Sequence, residues 1–186
     1  FDFSFAPPYV ARGTYLPGLA TADNGPGFWA YVDHHSTDAD YGVASFIEGE
    51  ARPHFWLGAT DGAKALFLHH RACEMEFNGH GGGKASTVFD CVGAAQVAKA
   101  SFAGMRLLHR LQRNFAIWPF QPAGKRTVVE IYTRAMLRHA GGDGRKLRDA
   151  GALNQALAAF ASRPVEDQPY SDHETDALLS AAALRA

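Results

Sequence analysis

The sequence predicts an α/β layer architecture, on three observations. Residues 127–132 (TVVEIY) are β-branched and aromatic, the clearest strand signal in the chain. From Gly93 to Arg113, apolar residues recur at helical spacing: Val97, Phe102, Met105, Leu108 and Leu111. Strand-like and helix-like stretches alternate along the chain, the order expected of a sheet covered by helices.

Taken in order, Phe1, Phe3 and Phe5 alternate with Asp2 and Ser4, which predicts a strand ended by Pro7-Pro8. The chain opens without Met and already in this alternation, so strands belonging upstream of Phe1 are expected to be missing from it. Residues 9–26 hold several Gly and Pro and read as loop. Residues 27–35 suit a short helix, 36–62 a polar loop, and 63–77 either helix or strand. Asn78–Gly83 reads as a flexible loop ahead of the long helix. Residues 114–118 form a second strand ended by Pro119, followed by the strand at 127–132. Helices are expected at Thr133–Ala140, stopped by Gly141-Gly142, and at Leu147–Ala161. A last helix, capped by Ser171 or Asp172, should run to Ala186 with Ala177, Leu178, Ala181 and Leu184 on its apolar face.

The 186 residues suit a single domain, 1–186, with no internal repeat. With 18 basic against 19 acidic side chains, no global field attracts a polyanion, and nucleic-acid binding would need a local patch. Cys73 and Cys91 are the only cysteines; their spacing suits neither a zinc pair nor a disulfide framework, which points to a reducing cytoplasm. No apolar run approaches the roughly 20 residues that span a bilayer, and no signal peptide is visible.

Carboxylates carry the chemistry. Asp172 and Asp176 are four residues apart on the last helix and share a face, with His173 within reach of Asp176. Such a pair suits Mg²⁺ or Mn²⁺, which want oxygen ligands; acids at a helix start also simply favour the dipole. Glu130 sits within the apolar strand 128–131, where it needs a cation or a salt bridge, for instance to Arg134 or Arg138. Asp2 stands on another strand. Asp2, Glu130 and Asp176 come from three segments that can converge beyond strand ends. Three clustered carboxylates repel unless cations neutralise them, so convergence would imply metal and a metal-bound water for phosphodiester cleavage.

Other constellations are weaker. Asp33, His34, His35, Asp38 and Asp40 form a ligand-like run, but adjacent His side chains diverge, and a solvated loop is the simpler account. Gly79–Gly83 followed by Lys84 departs from the phosphate-loop spacing. Arg106, Arg110 and Arg113 form a basic helix stripe, solvated by default and able to hold substrate phosphates beside a nuclease centre. No serine lies in a GxSxG context.

Four segments resemble, in order, the domain of unknown function family 429, whose members are described as predicted RNase H-like nucleases. Phe1–Pro7 resembles its strand-then-Pro motif I-D-x-P. His70–Glu74 is similar to R-x-C-D, with Glu74 for Asp. Val128–Ala135 is similar to V-E-V-Y-P-R-A, with Thr133 for Pro. Asp172–Leu178 resembles the closing D-A-L-x-A-A helix. The resemblance implies an RNase H-like mixed sheet flanked by helices. It also implies a divalent-metal nuclease hydrolysing phosphodiesters, with Asp2, Glu130 and Asp176 as catalytic residues. These three and Asp172 would hold Mg²⁺ or Mn²⁺, His173 would assist, and Arg106, Arg110 and Arg113 would bind nucleic acid. RNase H-like enzymes carry their first catalytic Asp on a strand earlier than any seen here. Two alternatives follow: a non-catalytic RNase H-like domain that binds a partner or nucleic acid, and a His/Asp metal hydrolase built on residues 33–40. One fold hosts many functions.

Overall fold

The computed structural model of the chain describes residues 1–9, 12–83, 85–93, 97–143 and 145–186. Two compact units emerge, each with its own core. The first comprises Phe1, Phe3–Glu76 and Ala85–Glu130; the second comprises Asp2, Phe77–Lys84 and Ile131–Ala186. The architecture is mixed and helix-rich, with one small parallel sheet among the described residues.

In the first unit, α1 (Gly25–His34) starts at Asn24, whose side chain accepts from the Gly27 N–H at 2.9 Å, with Pro26 in the first turn. α1 packs on α4 (Ala98–Leu111). Of the helix expected over Gly93–Arg113, residues 94–96 lie outside the described residues. Between α1 and α4 come α2 (Ala44–Ile47) and 3₁₀ turns at Arg52–His54, Ala59–Asp61 and Lys64–Phe67. The expected polar loop over 36–62 is therefore partly helical, because Phe46, Ile47 and Phe55 are fully buried and must pack. The ambiguous stretch 63–77 resolves into the last of these turns and the start of α3 (Ala72–Gly79). The core is aromatic: Phe28, Trp29, Phe46, Phe55, Phe89 and Phe102 are wholly buried with Met105 and Leu108. Trp29 satisfies its indole N–H on the Phe5 carbonyl at 2.7 Å.

β1 (Ala116–Ile117) and β2 (Thr127–Val128) pair in parallel, Ala116 opposite Thr127 and Ile117 opposite Val128. The strand expected over 127–132 stops at Val128. The next carbonyl, of Val129, accepts from the Phe1 amino terminus at 2.9 Å, and Glu130 is drawn into side-chain pairing. The expected strand at Phe1–Phe5 does not form. Its rings do contact in series, Phe1 stacked on Phe3 and Phe3 tilted against Phe5, with centroids 5.4 Å apart in each pair. The Ser4 and Phe5 N–H groups, however, bond to Ser101 Oγ (3.2 Å) and Glu130 Oε2 (2.9 Å) rather than to a ladder.

In the second unit, α5 (Thr133–His139), α6 (Ala150–Ala158) and α7 (Asp172–Arg185) bury Leu137, Leu153, Leu157, Leu179 and Ala182. Ser171, not Asp172, caps α7, in a reciprocal box with Glu174. The expected apolar face of α7 is displaced. Leu178 packs half-buried against the core as expected, but Ala177, Ala181 and Leu184 are exposed, while Thr175, Leu179 and Ala182 are buried. Ser180, also buried, hydrogen-bonds Thr133 Oγ1 at 3.2 Å, so a hydroxyl pair takes a place that a purely apolar pattern misses. No helix among the described residues is long and apolar enough to cross a membrane.

Candidate functional site

Glu130 is the centre of an ionic cluster in the first unit. Arg71 donates to it through both terminal nitrogens, Nη1 to Oε2 at 2.7 Å and Nη2 to Oε1 at 2.6 Å. The same guanidinium gives Nε to Glu74 Oε1 at 2.7 Å, and the Arg71 N–H reaches Glu74 Oε2 at 2.8 Å. Glu74 is buried on the first turn of α3, where the partial positive charge of the helix start favours it. Burial works against the Arg71 charge, but Glu130 and Glu74 outweigh it and hold the guanidinium firmly protonated. Three of the four motif segments thus meet: Phe5, Arg71 with Glu74, and Glu130. Beside the cluster lies a cleft of about 280 Å³, walled by Pro7, Tyr9, Tyr15, Met75 and Phe120 with His70 at its edge.

The arrangement suits a guanidinium better than a metal ion. Mg²⁺ and Mn²⁺ need convergent oxygens with free lone-pair directions. Every oxygen of Glu74 and Glu130 already accepts from Arg71, and Glu130 Oε2 also accepts from Phe5. The described residues contain no group of three or more His, Cys, Asp or Glu that could hold a metal ion. Glu130 has Arg71 as its ion-pair partner, a pairing not expected from the sequence.

The other predicted acids stand in the second unit. Asp172 and Asp176 share the face that their spacing implies and point at one cation, Lys146 Nζ, at 3.1 and 3.6 Å. The Asp172 hydrogen bond raises the Lys146 ammonium above its ordinary value. His173 is exposed, as is Asp2. In the run of residues 33–40, Asp33 accepts from Arg106 and Arg110, Asp38 accepts from the Ser45 N–H and hydroxyl, and His35 pairs with Glu50. Each of these carboxylates has a neighbour other than a metal. Of the glycine-rich loop, Lys84 lies outside the described residues.

The basic stripe of α4 divides. Arg106 is not solvated as expected: it is 8% exposed, with Nε on Asp33 Oδ1 at 3.0 Å and Nη1 on the Asp38 and Gly42 carbonyls. Arg110 reaches Asp33 Oδ2 at 3.0 Å. Arg113 faces a different setting. The end of α4 turns through Asn114 and Phe115, whose N–H groups both bond to the Leu111 carbonyl, into β1. The parallel pairing brings Arg126 alongside, with the Ala116 N–H on its carbonyl at 2.9 Å. Thr127 Oγ1 clamps the preceding turn, accepting from the Gly124 N–H and donating to the Gly124 carbonyl. The result is an open groove of about 540 Å³ lined by Arg113, Lys125, Arg126, Gln112, Asn114 and Phe115, with no carboxylate in its wall. All three cations are exposed, and none has an ion-pair partner among the described residues. The Arg126 guanidinium lies 5.5 Å from the Phe115 ring centroid. Lys125 and Arg126 were not singled out in the sequence, although a basic pair between Gly124 and a strand is a visible signal.

No family model, curated protein or solved structure matches this chain.

Proposed function

We propose that this chain is an RNase H-like domain that binds nucleic acid through backbone phosphates and does not itself hydrolyse it. The groove of Arg113, Lys125 and Arg126 carries the reading. In a chain with balanced total charge, three cations without an ion-pair partner among the described residues, around an aromatic ring and three amide side chains, form the local patch that polyanion binding requires. The RNase H-like assignment rests on the order of the four motif segments. A cytoplasmic setting is supported by two free cysteines.

Three phosphate contacts set the scale. The logarithm of affinity for a single strand should fall with the logarithm of salt concentration with a slope of about −2. Fluorescence anisotropy of a labelled oligonucleotide across a salt series tests this. Arg113→Gln should lower the slope by about 0.7, and a triple variant with Lys125→Gln and Arg126→Gln should abolish binding. A triple variant that binds like the parent would end the reading.

A second reading, a divalent-metal nuclease using Asp2, Glu130 and Asp176 with Mg²⁺ or Mn²⁺, draws on the convergence of the Phe5, Arg71 and Glu130 segments. It requires Glu130 to give up Arg71. Calorimetry with Mn²⁺ on the parent and on Glu130→Gln separates the two: binding lost only in the variant favours the nuclease, and no binding by either favours the first reading.

A further inference from the structure

A second basic cluster lies in the first unit, apart from the groove. The Arg12 and Gly13 N–H groups both donate to the Tyr9 carbonyl, at 3.0 and 2.8 Å. The Arg12 guanidinium lies over Phe89, with Cζ 5.2 Å from the ring centroid. His69 meets the same ring edge-on at 5.9 Å, its backbone pinned by Thr87 Oγ1, which donates to the His69 carbonyl at 2.6 Å. His54 ends the Arg52–His54 turn and feels the charge of both Arg12 and His69.

Three facts set this cluster apart from Arg71 and Arg106. Arg12 pairs with no carboxylate among the described residues. Its Nη1 is shielded from solvent and meets no acceptor. His69 shares the Phe89 ring with Arg12 and brings no compensating negative charge. Burial, and after it the Arg12 charge, hold both imidazoles below their ordinary pKa. A buried guanidinium N–H without an acceptor is unfavourable, and an anion supplying one relieves it. The planar fork of an unpartnered Arg matches the oxygens of a tetrahedral oxyanion, and a nearby imidazole can add an N–H donor.

We propose that Arg12, His54 and His69 form a binding site for a phosphate group, either free or at the end of a phosphomonoester. The aromatic floor of Phe89 limits competing hydration of Arg12, and the imidazoles supply N–H donors from two other segments. The site does not depend on the groove at Arg113, Lys125 and Arg126, and its variants leave that groove intact.

Nuclear magnetic resonance of the imidazole signals, with calorimetry, tests the proposal on the full chain. The probes are inorganic phosphate and one short oligonucleotide prepared with and without a 5′-phosphate. Inorganic phosphate should shift the His54 and His69 ring signals. Arg12→Gln and His69→Gln should each weaken its binding about tenfold or more, the loss of one charge-assisted hydrogen bond. Arg12→Lys keeps the charge without the fork and should fall between, with circular dichroism showing that each variant is folded. A 5′-phosphorylated strand that shifts these signals, where the unphosphorylated strand does not, identifies a polymer end as a ligand; a response to inorganic phosphate alone identifies a free ligand. No shift with any probe, or unchanged affinity in folded Arg12→Gln, overturns the proposal.

Discussion

Arg106 and Asp33, 73 positions apart, form a nearly enclosed ion pair that ties α4 to the end of α1. The carboxylate is 12% exposed and the guanidinium side chain 10%. Arg106 spends a further nitrogen on the Asp38 and Gly42 carbonyls, so the pair also anchors the loop after α1.

Removing one partner of such a pair leaves a charge buried alone. Asp33→Asn should therefore destabilise the first unit by about 3 kcal/mol. Arg106→Met on top of it should recover part of that loss, because no charge then remains to be solvated. Urea unfolding of the two single variants and the double variant measures the coupling. An additive double variant would show that the pair does not couple.

The same carboxyl makes stability depend on acid. Burial raises the Asp33 pKa, but hydrogen bonds from Arg106 and Arg110 outweigh it and leave it below the ordinary value. Its contribution is complete above the unfolded pKa of about 3.9 and is lost as pH falls through the lower folded value. Melting temperature should therefore drop as the solution is acidified below about pH 4. In Asp33→Asn the drop should be shallower, and an identical profile would assign the acid sensitivity to other groups.

Arg71 should matter more than Glu130. Arg71→Ala leaves Glu74, 7% exposed, with only the His70 imidazole, at 3.6 Å, beside its buried carboxylate and should cost about 3–5 kcal/mol. Glu130→Gln keeps an acceptor for Arg71 and Phe5 and should cost about 1–2 kcal/mol. Thermal or urea unfolding ranks the two, and the reverse order would contradict the cluster described here.

The two cysteines should react unequally. Cys73 is exposed, whereas Cys91 is buried and its thiol is pushed up to about 11, chiefly by desolvation. At pH 8 only about a thousandth of Cys91 is thiolate. One equivalent of iodoacetamide should label Cys73 well before Cys91 by mass spectrometry. Equal labelling would mean that Cys91 is accessible and ionised.

Ser171→Ala removes the α7 cap while leaving Leu179 and Ala182 packed. It should cost about 1 kcal/mol and speed amide exchange most at Glu174 and Thr175. Uniform acceleration along α7 would indicate loss of packing instead.

What could be read in the sequence was local. The 3.6-residue repeat of α4, a cap at Ser171 or Asp172 and the Pro119 stop each depend on residues within a few positions of one another, so pattern and chemistry suffice. The shared face of Asp172 and Asp176 follows from helix geometry alone. Short strands were readable as β-branched runs, but their length was not, because a strand continues only while a neighbouring ladder exists. Phe1–Phe5 has the alternation of a strand and lacks that neighbour.

Tertiary structure decided what each charge faces. Nothing near Glu130 in sequence identifies Arg71, 59 positions away, and nothing near Asp33 identifies Arg106. Those contacts give Glu130 and Asp33 guanidinium partners and make Arg106 a buried anchor, while Arg113 joins Lys125 and Arg126. Helical periodicity is dictated by backbone bonds spanning four residues, whereas the partner of a charge is dictated by the path of the whole chain.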